Sequence, residues 1–103
     1  MKKVASKKKN NHDFADISDA LKAVAHPERI AIIDLLCNCG CERMTVTSIY
    51  EQLKMDQPVA SKHLGILKRS GLVKRETEKN FAWFRLNKEN EIVKCLINCL
   101  SKQ

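Results

Sequence analysis

Five cysteines are the residues of this 103-residue chain best suited to chemistry. Three of them, Cys37, Cys39 and Cys41, alternate within one short stretch that also contains Gly40. On a regular helix Cys37 and Cys41 share a face and Cys39 points away, whereas a backbone that unwinds at Gly40 lets all three sulfurs converge. Thiolates are soft ligands suited to Cu(I), Zn, Cd or a trivalent arsenic centre. The spacing predicts a thiol site that binds such an ion or is oxidised; the alternative is that Cys37 is a small core residue.

The other two cysteines, Cys95 and Cys99, lie four residues apart in a stretch with helical periodicity. Their side chains are therefore neighbours on one helix face. One interpretation is simple packing, since cysteine is common on buried apolar stripes. The other is a second thiol pair that binds metal or is oxidised near a subunit contact. An odd number of clustered cysteines favours a reducing compartment over a disulfide framework, so we expect a cytoplasmic protein.

Composition narrows the class of protein. The net charge of +7 suits a polyanionic partner, and no stretch approaches the roughly 20 apolar residues of a membrane span. Residues 1–12 are rich in lysine and lack the apolar run of a secretory signal. We expect them to form a basic tail that either aids solubility or follows DNA phosphates, ahead of a single domain over residues 13–103. A glycine-rich phosphate loop, paired carboxylates and a Cys–His pair are all missing from the sequence, so an enzyme is not expected.

The segment 56–73 is the element most clearly marked as a helix. Asp56 is a suitable N-cap whose carboxylate can accept first-turn amide hydrogens. Pro58 suits the first turn, where no amide hydrogen is needed, and Gly71 suits a left-handed stop. The sequence therefore predicts one helix with both ends defined.

The two sides of this helix differ in chemistry. Ala60, Leu64 and Leu67 recur at helical spacing and predict a buried stripe. The opposite side, called here the basic face, carries short donors, cations and a glycine: Gln57, Ser61, Lys62, Gly65, Lys68 and Arg69. Such a face can lie against a phosphate backbone and reach base edges in a major groove. The alternative is an ordinary solvated helix surface.

The neighbouring elements complete a recognisable order. A short helix over 47–54 and a turn at Met55 precede the basic helix, which is helix-turn-helix spacing. Strand-like segments at Val73–Thr77 and Phe81–Leu86 follow it and form a hairpin. Two helices before residue 40, the second starting at Pro27, and a last helix over about 88–101 complete the chain. The order predicts a mainly α winged helix-turn-helix with five helices and a two-stranded wing.

Three of these segments also resemble a known family. The stretch 56–73, the sequence Ala25–Ile30 and the wing 75–86 are similar to the corresponding motifs of the arsenical-resistance-type (ArsR-like) repressors. The resemblance covers residues 14–101 and implies a homodimer, packed through its first helix, that binds a palindromic double-stranded DNA operator. The family's common metal sites are missing: Thr45 and Thr47 stand where a Cys-x-Cys pair is frequent, and the last helix has no histidine. Sensing must therefore rest on this chain's own cysteines, with a thiophilic metal or metalloid ion as the candidate ligand.

By analogy with helix-turn-helix docking, Gln57, Ser61 and Lys62 are expected nearest the base edges, and His63 either packs or touches DNA. The predicted phosphate contacts are Lys68, Arg69, Lys74, Arg75, Lys79 and Arg85. Metal binding or oxidation of Cys37, Cys39, Cys41, Cys95 or Cys99 is expected to release the DNA. The alternative is a winged-helix protein-interaction module with structural cysteines, which would expose an apolar patch in place of the basic face.

Overall fold

The computed structural model describes residues 14–101 and has the predicted winged helix-turn-helix order. Its elements are α1 (Phe14–Val24), α2 (Pro27–Asn38), β1 (Met44–Thr45), α3 (Val46–Leu53), α4 (Gln57–Arg69), β2 (Val73–Glu78), β3 (Phe81–Leu86) and α5 (Glu91–Leu100). The predicted fold class is confirmed. The predicted tail over residues 1–12 lies outside the described residues. No helix within residues 14–101 combines the length and apolar character needed to cross a membrane.

The wing hairpin is part of a three-stranded antiparallel sheet with the order β1-β3-β2. The predicted two-stranded wing was therefore incomplete, because Met44 and Thr45 pair with Phe84 and Trp83. A strand of two residues is too short to show an alternating pattern in the sequence, and its partner is 38 or more residues away along the chain.

The hairpin tip contains no glycine, yet it forms a tight turn. Lys79 and Asn80 both have positive φ, 52° and 70°. Positive φ at both central residues is the pattern of a type I′ turn, whose twist matches that of the flanking strands. Asparagine tolerates this conformation and lysine adopts it at some cost. The tip thus holds Lys79 exposed at the end of the wing.

The core lies where α2, α3, α4 and α5 meet the start of the wing. Its largest fully buried side chains are Ile32, Ile33, Ile49, Leu64, Leu67, Leu72 and Val93. The predicted stripe of α4 is confirmed, since Ala60, Leu64 and Leu67 are each 0% exposed. Burying one face of α4 against this core leaves the basic face outward.

The two ends of α4 form differently from one another. Asp56 is the N-cap residue, but its side chain makes no capping hydrogen bond, contrary to the prediction. Pro58 in the first turn has no amide hydrogen to offer, which removes one of the two usual partners of a capping carboxylate. At the other end Gly71 has φ +78°, and Leu72 N–H donates to the Leu67 carbonyl at 2.9 Å. That left-handed stop confirms the predicted end of the helix.

Candidate nucleic-acid interface

The basic face of α4 is open to solvent in the subunit. Gln57, Ser61, Lys62, Lys68 and Arg69 are all exposed, and Gly65 is half-buried. A Cβ atom added at Gly65 would lie 3.5 Å from Nη1 of Arg69, so this guanidinium extends back along the helix over the glycine. Hydrogen-bond donors and positive charges therefore cover the outer side of α4.

The wing continues this surface. Lys74, Arg75 and Lys79 are exposed on β2 and at the hairpin tip. A cleft of about 320 Å³ runs between α4 and the wing, and its lining includes Ser61, Lys68 and Arg75. Residues predicted separately on the helix and on the hairpin thus border the same groove. A surface of this kind can follow a polyanion over more than one element.

Arg85 is placed differently from the other predicted phosphate contacts. Its side chain is partly exposed, and its Nε lies 2.8 Å from Oε2 of Glu76 on the neighbouring strand. The guanidinium is therefore engaged in an ion pair within the wing. A phosphate would have to compete with Glu76 for this arginine. The main contact of Arg85 is therefore the ion pair within the wing.

Arg43 was not predicted from the sequence, yet it is the most connected cation of this region. Its guanidinium donates to Oε1 of Glu76 at 2.8 Å and also to Glu78, and its Cζ lies 4.4 Å from the centroid of the Trp83 ring. Hydrogen bonds to Glu78 and then Glu76 raise the pKa of Arg43 above its ordinary value. The hydrogen bond from Arg43 lowers the pKa of Glu76, against the opposing effect of burial, and the charge of Arg85 adds to the lowering.

No sequence signal pointed to Arg43, because its partners lie 33 and 35 residues further along the chain. It occupies the position directly before β1, and the pairing of that strand with β3 brings it to the wing. The missed strand and the missed arginine therefore have one cause. Both depend on long-range pairing that local periodicity does not report.

The side chain of His63 lies in the interior of the subunit and not on the basic face of α4. Its side chain is only 8% exposed; Nε2 lies 2.9 Å from Oε1 of Glu28, and Nδ1 accepts a hydrogen bond from Nε of Arg29 at 3.1 Å. Both ring nitrogens are thus occupied by residues at the start of α2. Of the two expectations for His63, packing is correct, and direct contact with DNA is corrected because the ring points into the subunit.

His26, Glu28 and His63 offer donor atoms within 4.8 Å of one another, a separation that ligands of one metal ion could have. Because Nδ1 of His63 accepts from Arg29, Nε2 carries the ring proton and donates to Glu28. Nδ1 of His26 also accepts, from the Glu28 amide at 3.2 Å. A cation would have to displace these bonds beside the positive charge of Arg29. The arrangement fits a hydrogen-bonded network that joins α2 to α4 better than a metal site.

The five predicted cysteines fall into separate groups. Cys39 and Cys41 are joined by a disulfide in the loop after α2, while Cys37 is a half-buried free thiol. The predicted convergence of three sulfurs is therefore not found among the described residues, although α2 ends before Gly40, which has φ +74°, as expected. The disulfide is an oxidised state of this pair, and oxidation was one of the two alternatives that the sequence left open. Cys95 and Cys99 are free and exposed on α5.

Comparison with known proteins supports the nucleic-acid interface that this geometry indicates. Residues 26–75 match the family model described as bacterial regulatory protein, arsR family. An uncharacterized HTH-type transcriptional regulator of Methanocaldococcus jannaschii is 38% identical over 83 residues, which are 79% of this chain and 91% of that protein.

Two solved structures share the fold. Reduced HlyU from Vibrio cholerae has a TM-score of 0.74 and 28% identity, and the match covers 86% of this chain and 88% of that one. The homodimeric winged helix-turn-helix DNA-binding domain of Mb0332 from Mycobacterium bovis has a TM-score of 0.72 and 27% identity, with 85% and 77% covered. Together with the basic face and the wing, these similarities identify the family and the role of the chain. The chain belongs to the arsR family of bacterial regulatory proteins and is a DNA-binding transcriptional regulator, not an enzyme.

Proposed function

We propose that this regulator is a homodimeric repressor that binds a palindromic operator through α4 and the wing, and that thiol chemistry releases it. The observation that carries the proposal is the groove between α4 and the wing, which Lys68 of the helix and Arg75 of the hairpin border together, with further exposed cations on both elements. Repression follows when such a dimer occupies a promoter. We also propose that it acts in the cytoplasm, where such an operator is accessible.

Base readout is assigned to the first half of α4. Gln57, Ser61 and Lys62 are exposed there and carry side chains that can donate to base edges in a major groove. Lys68 and Arg75, which border the groove, and the exposed cations Arg69, Lys74 and Lys79 are assigned to phosphates. His63 is excluded from both sets by its burial, and Arg85 is secondary because of its ion pair with Glu76.

The second copy of the chain is assigned to the outer side of α1. Phe14 is 73% and Leu21 52% exposed in the subunit, and with Ile17 and Ala25 they line a shallow apolar groove. Two large apolar side chains on one helix face are the kind of surface that a partner subunit covers. The homodimeric relative supports a two-fold pair. Two copies of α4 should then meet half-sites about 34 Å apart, or a multiple of this spacing.

The sensing step is assigned to the cysteines. Cys39 and Cys41 are close enough to bond to each other, and Cys95 and Cys99 are exposed on α5. Cys95 and Cys99, and Cys39 and Cys41 once their disulfide is reduced, can take up a thiophilic metal or metalloid ion or change by oxidation or persulfidation. A shift between the two subunits that moves one α4 relative to the other would weaken binding to a fixed operator spacing. Coupling of about 1–3 kcal/mol changes affinity roughly 5- to 150-fold.

The DNA-binding part is tested by selecting bound sequences from a random duplex library and measuring affinity by fluorescence anisotropy. A palindromic consensus with half-sites one helical turn apart is expected. If six to ten phosphates are contacted, affinity should fall about 10³- to 10⁵-fold between 50 and 200 mM salt. Failure to enrich any sequence, with salt-insensitive binding, would instead favour a protein-interaction module.

The sensing part is tested with a variant in which all five cysteines are serine. It should still bind the selected duplex, with an affinity that no longer responds to Zn²⁺, Cd²⁺, arsenite, peroxide or persulfide. Metal analysis and mass spectrometry of wild-type protein purified without reductant separate the metal and redox branches. A response that persists in the cysteine-free variant places the sensor elsewhere in the molecule.

A further inference from the structure

The loop between α2 and β1 brings a redox-active pair and the wing to one place. The Cys39–Cys41 disulfide, Arg43 and Trp83 all line a single cavity of about 370 Å³. Arg43 follows Cys41 by two residues and directly precedes β1. Trp83 lies on β3, the central strand of the sheet. A change in the conformation of the loop can therefore affect the wing through only a few residues.

We propose that the Cys39–Cys41 pair is a redox switch of the wing, with Arg43 as the positioning residue that transmits its state. The disulfide form holds the wing for DNA, and the dithiol form loosens it. The inference rests on the proposed function for its DNA readout, because it names how that same interface is regulated. Its structural half can be tested without DNA.

Arg43 is suited to this role because one side chain contacts both strands of the wing. Its guanidinium pairs with Glu76 and Glu78 on β2, and it lies over the Trp83 ring on β3. Its side chain is 29% exposed, so these contacts are partly shielded from water. A displacement of the backbone at Arg43 must move or break them together.

The charge pattern of the wing gives the contacts a consequence for DNA. Glu76 and Glu78 lie between the cations of β2 and the cation of the tip, in the sequence Lys74-Arg75-Glu76-Thr77-Glu78-Lys79. Uncompensated carboxylates beside phosphates repel them, whereas a bound guanidinium neutralises them locally. Loss of the Arg43 contacts therefore weakens binding in two ways, by freeing the wing and by leaving Glu78 uncompensated, while Glu76 keeps its ion pair with Arg85.

The position of the disulfide allows it to be reduced and formed again. It closes a loop of only three residues, so its contribution to the stability of the whole fold is small compared with that of a long-range crosslink. Cys41 is exposed, and a soluble thiol can reach its sulfur. Opening the bond returns rotational freedom to the segment that leads to Arg43, while β1 stays paired with β3.

The reaction is thiol–disulfide exchange with a low-molecular-weight thiol, RSH. Its thiolate attacks the sulfur of Cys41, forms a mixed disulfide and expels the thiolate of Cys39, which takes up the proton that RSH released. A second thiolate attacks the R-bearing sulfur, forms R–S–S–R and releases Cys41 as a thiol. Two RSH are oxidised and one protein disulfide is reduced. The DNA affinity falls in this direction, so for this pair reduction and not oxidation is the releasing step.

The chain offers its own probe for the test, because Trp83 is its single tryptophan. The background variant Cys37→Ala, Cys95→Ser, Cys99→Ser leaves only the pair in question. It is equilibrated in glutathione buffers of rising reduced fraction, and Trp83 emission, acrylamide quenching and affinity for the selected duplex are measured. On reduction, we expect a change in emission and quenching, and at least a fivefold loss of affinity.

Three variants of this background serve as controls. Adding Cys39→Ser should abolish both responses. Arg43→Gln should still form the disulfide, seen by mass spectrometry, but its DNA affinity should be the same in both redox states. Arg75→Gln removes an exposed arginine from the same wing and should lower affinity while keeping the redox response. Circular dichroism checks that each variant is folded, and Arg43→Lys, which keeps one charge, should respond to an intermediate degree.

Two results overturn the proposal: Trp83 emission and quenching that are identical in the two redox states, or an Arg43→Gln variant whose DNA affinity keeps the full redox response. If no duplex binds in either state, it is the proposed function that fails. The redox response of Trp83, and its loss in Arg43→Gln, then still decides whether the pair controls the wing.

Discussion

Nε2 of His63, in the middle of α4, lies 2.9 Å from Oε1 of Glu28 at the start of α2. Arg29 donates to the other ring nitrogen and also to the carbonyl of Ala23, so one network links α1, α2 and α4. The helix that presents the basic face is therefore held from behind by hydrogen bonds as well as by its apolar stripe. The orientation of the basic face therefore depends on residues that lie behind the helix.

His63→Ala should destabilise the fold without removing a DNA contact. It leaves Arg29 and Glu28 without their part-buried partner, a loss of about 1–3 kcal/mol in the free energy of unfolding. Urea denaturation measures this loss, and anisotropy at low temperature measures the affinity of the folded protein. The neighbouring Lys62→Ala should do the reverse, with stability within about 0.5 kcal/mol and weaker binding. Weaker DNA binding by His63→Ala at unchanged stability would contradict this placement.

Gly65→Ala should stabilise the protein and weaken DNA binding. The added Cβ meets Nη1 of Arg69 at 3.5 Å, an ordinary contact, and alanine favours a helix over glycine by about 0.5–1 kcal/mol. The methyl group, however, occupies the centre of the surface proposed to approach the duplex. A higher urea midpoint together with a lower affinity is expected. Unchanged affinity would mean that this part of α4 does not come close to DNA.

Lys79→Gly should relieve the strained wing tip and remove one phosphate contact. Lysine at φ 52° costs about 1 kcal/mol that glycine does not, so the thermal midpoint should rise. The slope of log K against log salt should fall by about 0.9. Lys54→Gly is a matched control, because Lys54 is also left-handed, with φ 57°, and lies outside the predicted contact set. It should gain stability and keep the wild-type slope; equal slopes for all three proteins would exclude Lys79 from the interface.

The wing contacts of Arg43 should weaken in acid. The pKa of Glu76 lies below its ordinary value of 4.5 in the folded protein, because Arg43 donates to it. The stabilisation is therefore complete above pH 4.5 and is lost as the pH falls through the lowered pKa. Trp83 fluorescence between pH 7 and pH 3 should report a transition in the lower part of this range, with circular dichroism to separate it from unfolding. Glu76→Gln should remove the transition, and its persistence in that variant would assign it to another group.

Local signals in the sequence account for most of the fold. The bounds of α4, its buried stripe of Ala60, Leu64 and Leu67, and the stop at Gly71 all arise from interactions within a few residues, which is why the pattern predicted them. The order of the five helices and the hairpin followed for the same reason. The capping role of Asp56 failed because Pro58, itself a helix-start signal, removes a partner that the cap needs.

The features that sequence reasoning missed depend on distant partners. The inward position of His63 is an exception, because it lies three residues after Ala60 on the buried stripe of α4; only its partners Glu28 and Arg29 required coordinates. From the sequence alone Arg43 is indistinguishable from any other loop cation. The pairing of Met44 with Phe84 brings it to the wing. The cysteines were correctly singled out as the chemical residues, but their grouping into one disulfide and three separate thiols required coordinates.

The short pairing of β1 with β3 sets how motion is distributed along the wing. At its base, Met44 and Phe84 are buried and hydrogen-bonded within three strands, whereas beyond Thr77 the hairpin has only two. Amide hydrogens at the base should therefore exchange with solvent as slowly as those of the core, and protection should decline step by step toward Asn80. The wing is therefore anchored at its base and less constrained at its tip, so the tip of the hairpin can open locally without disturbing the helix beside it.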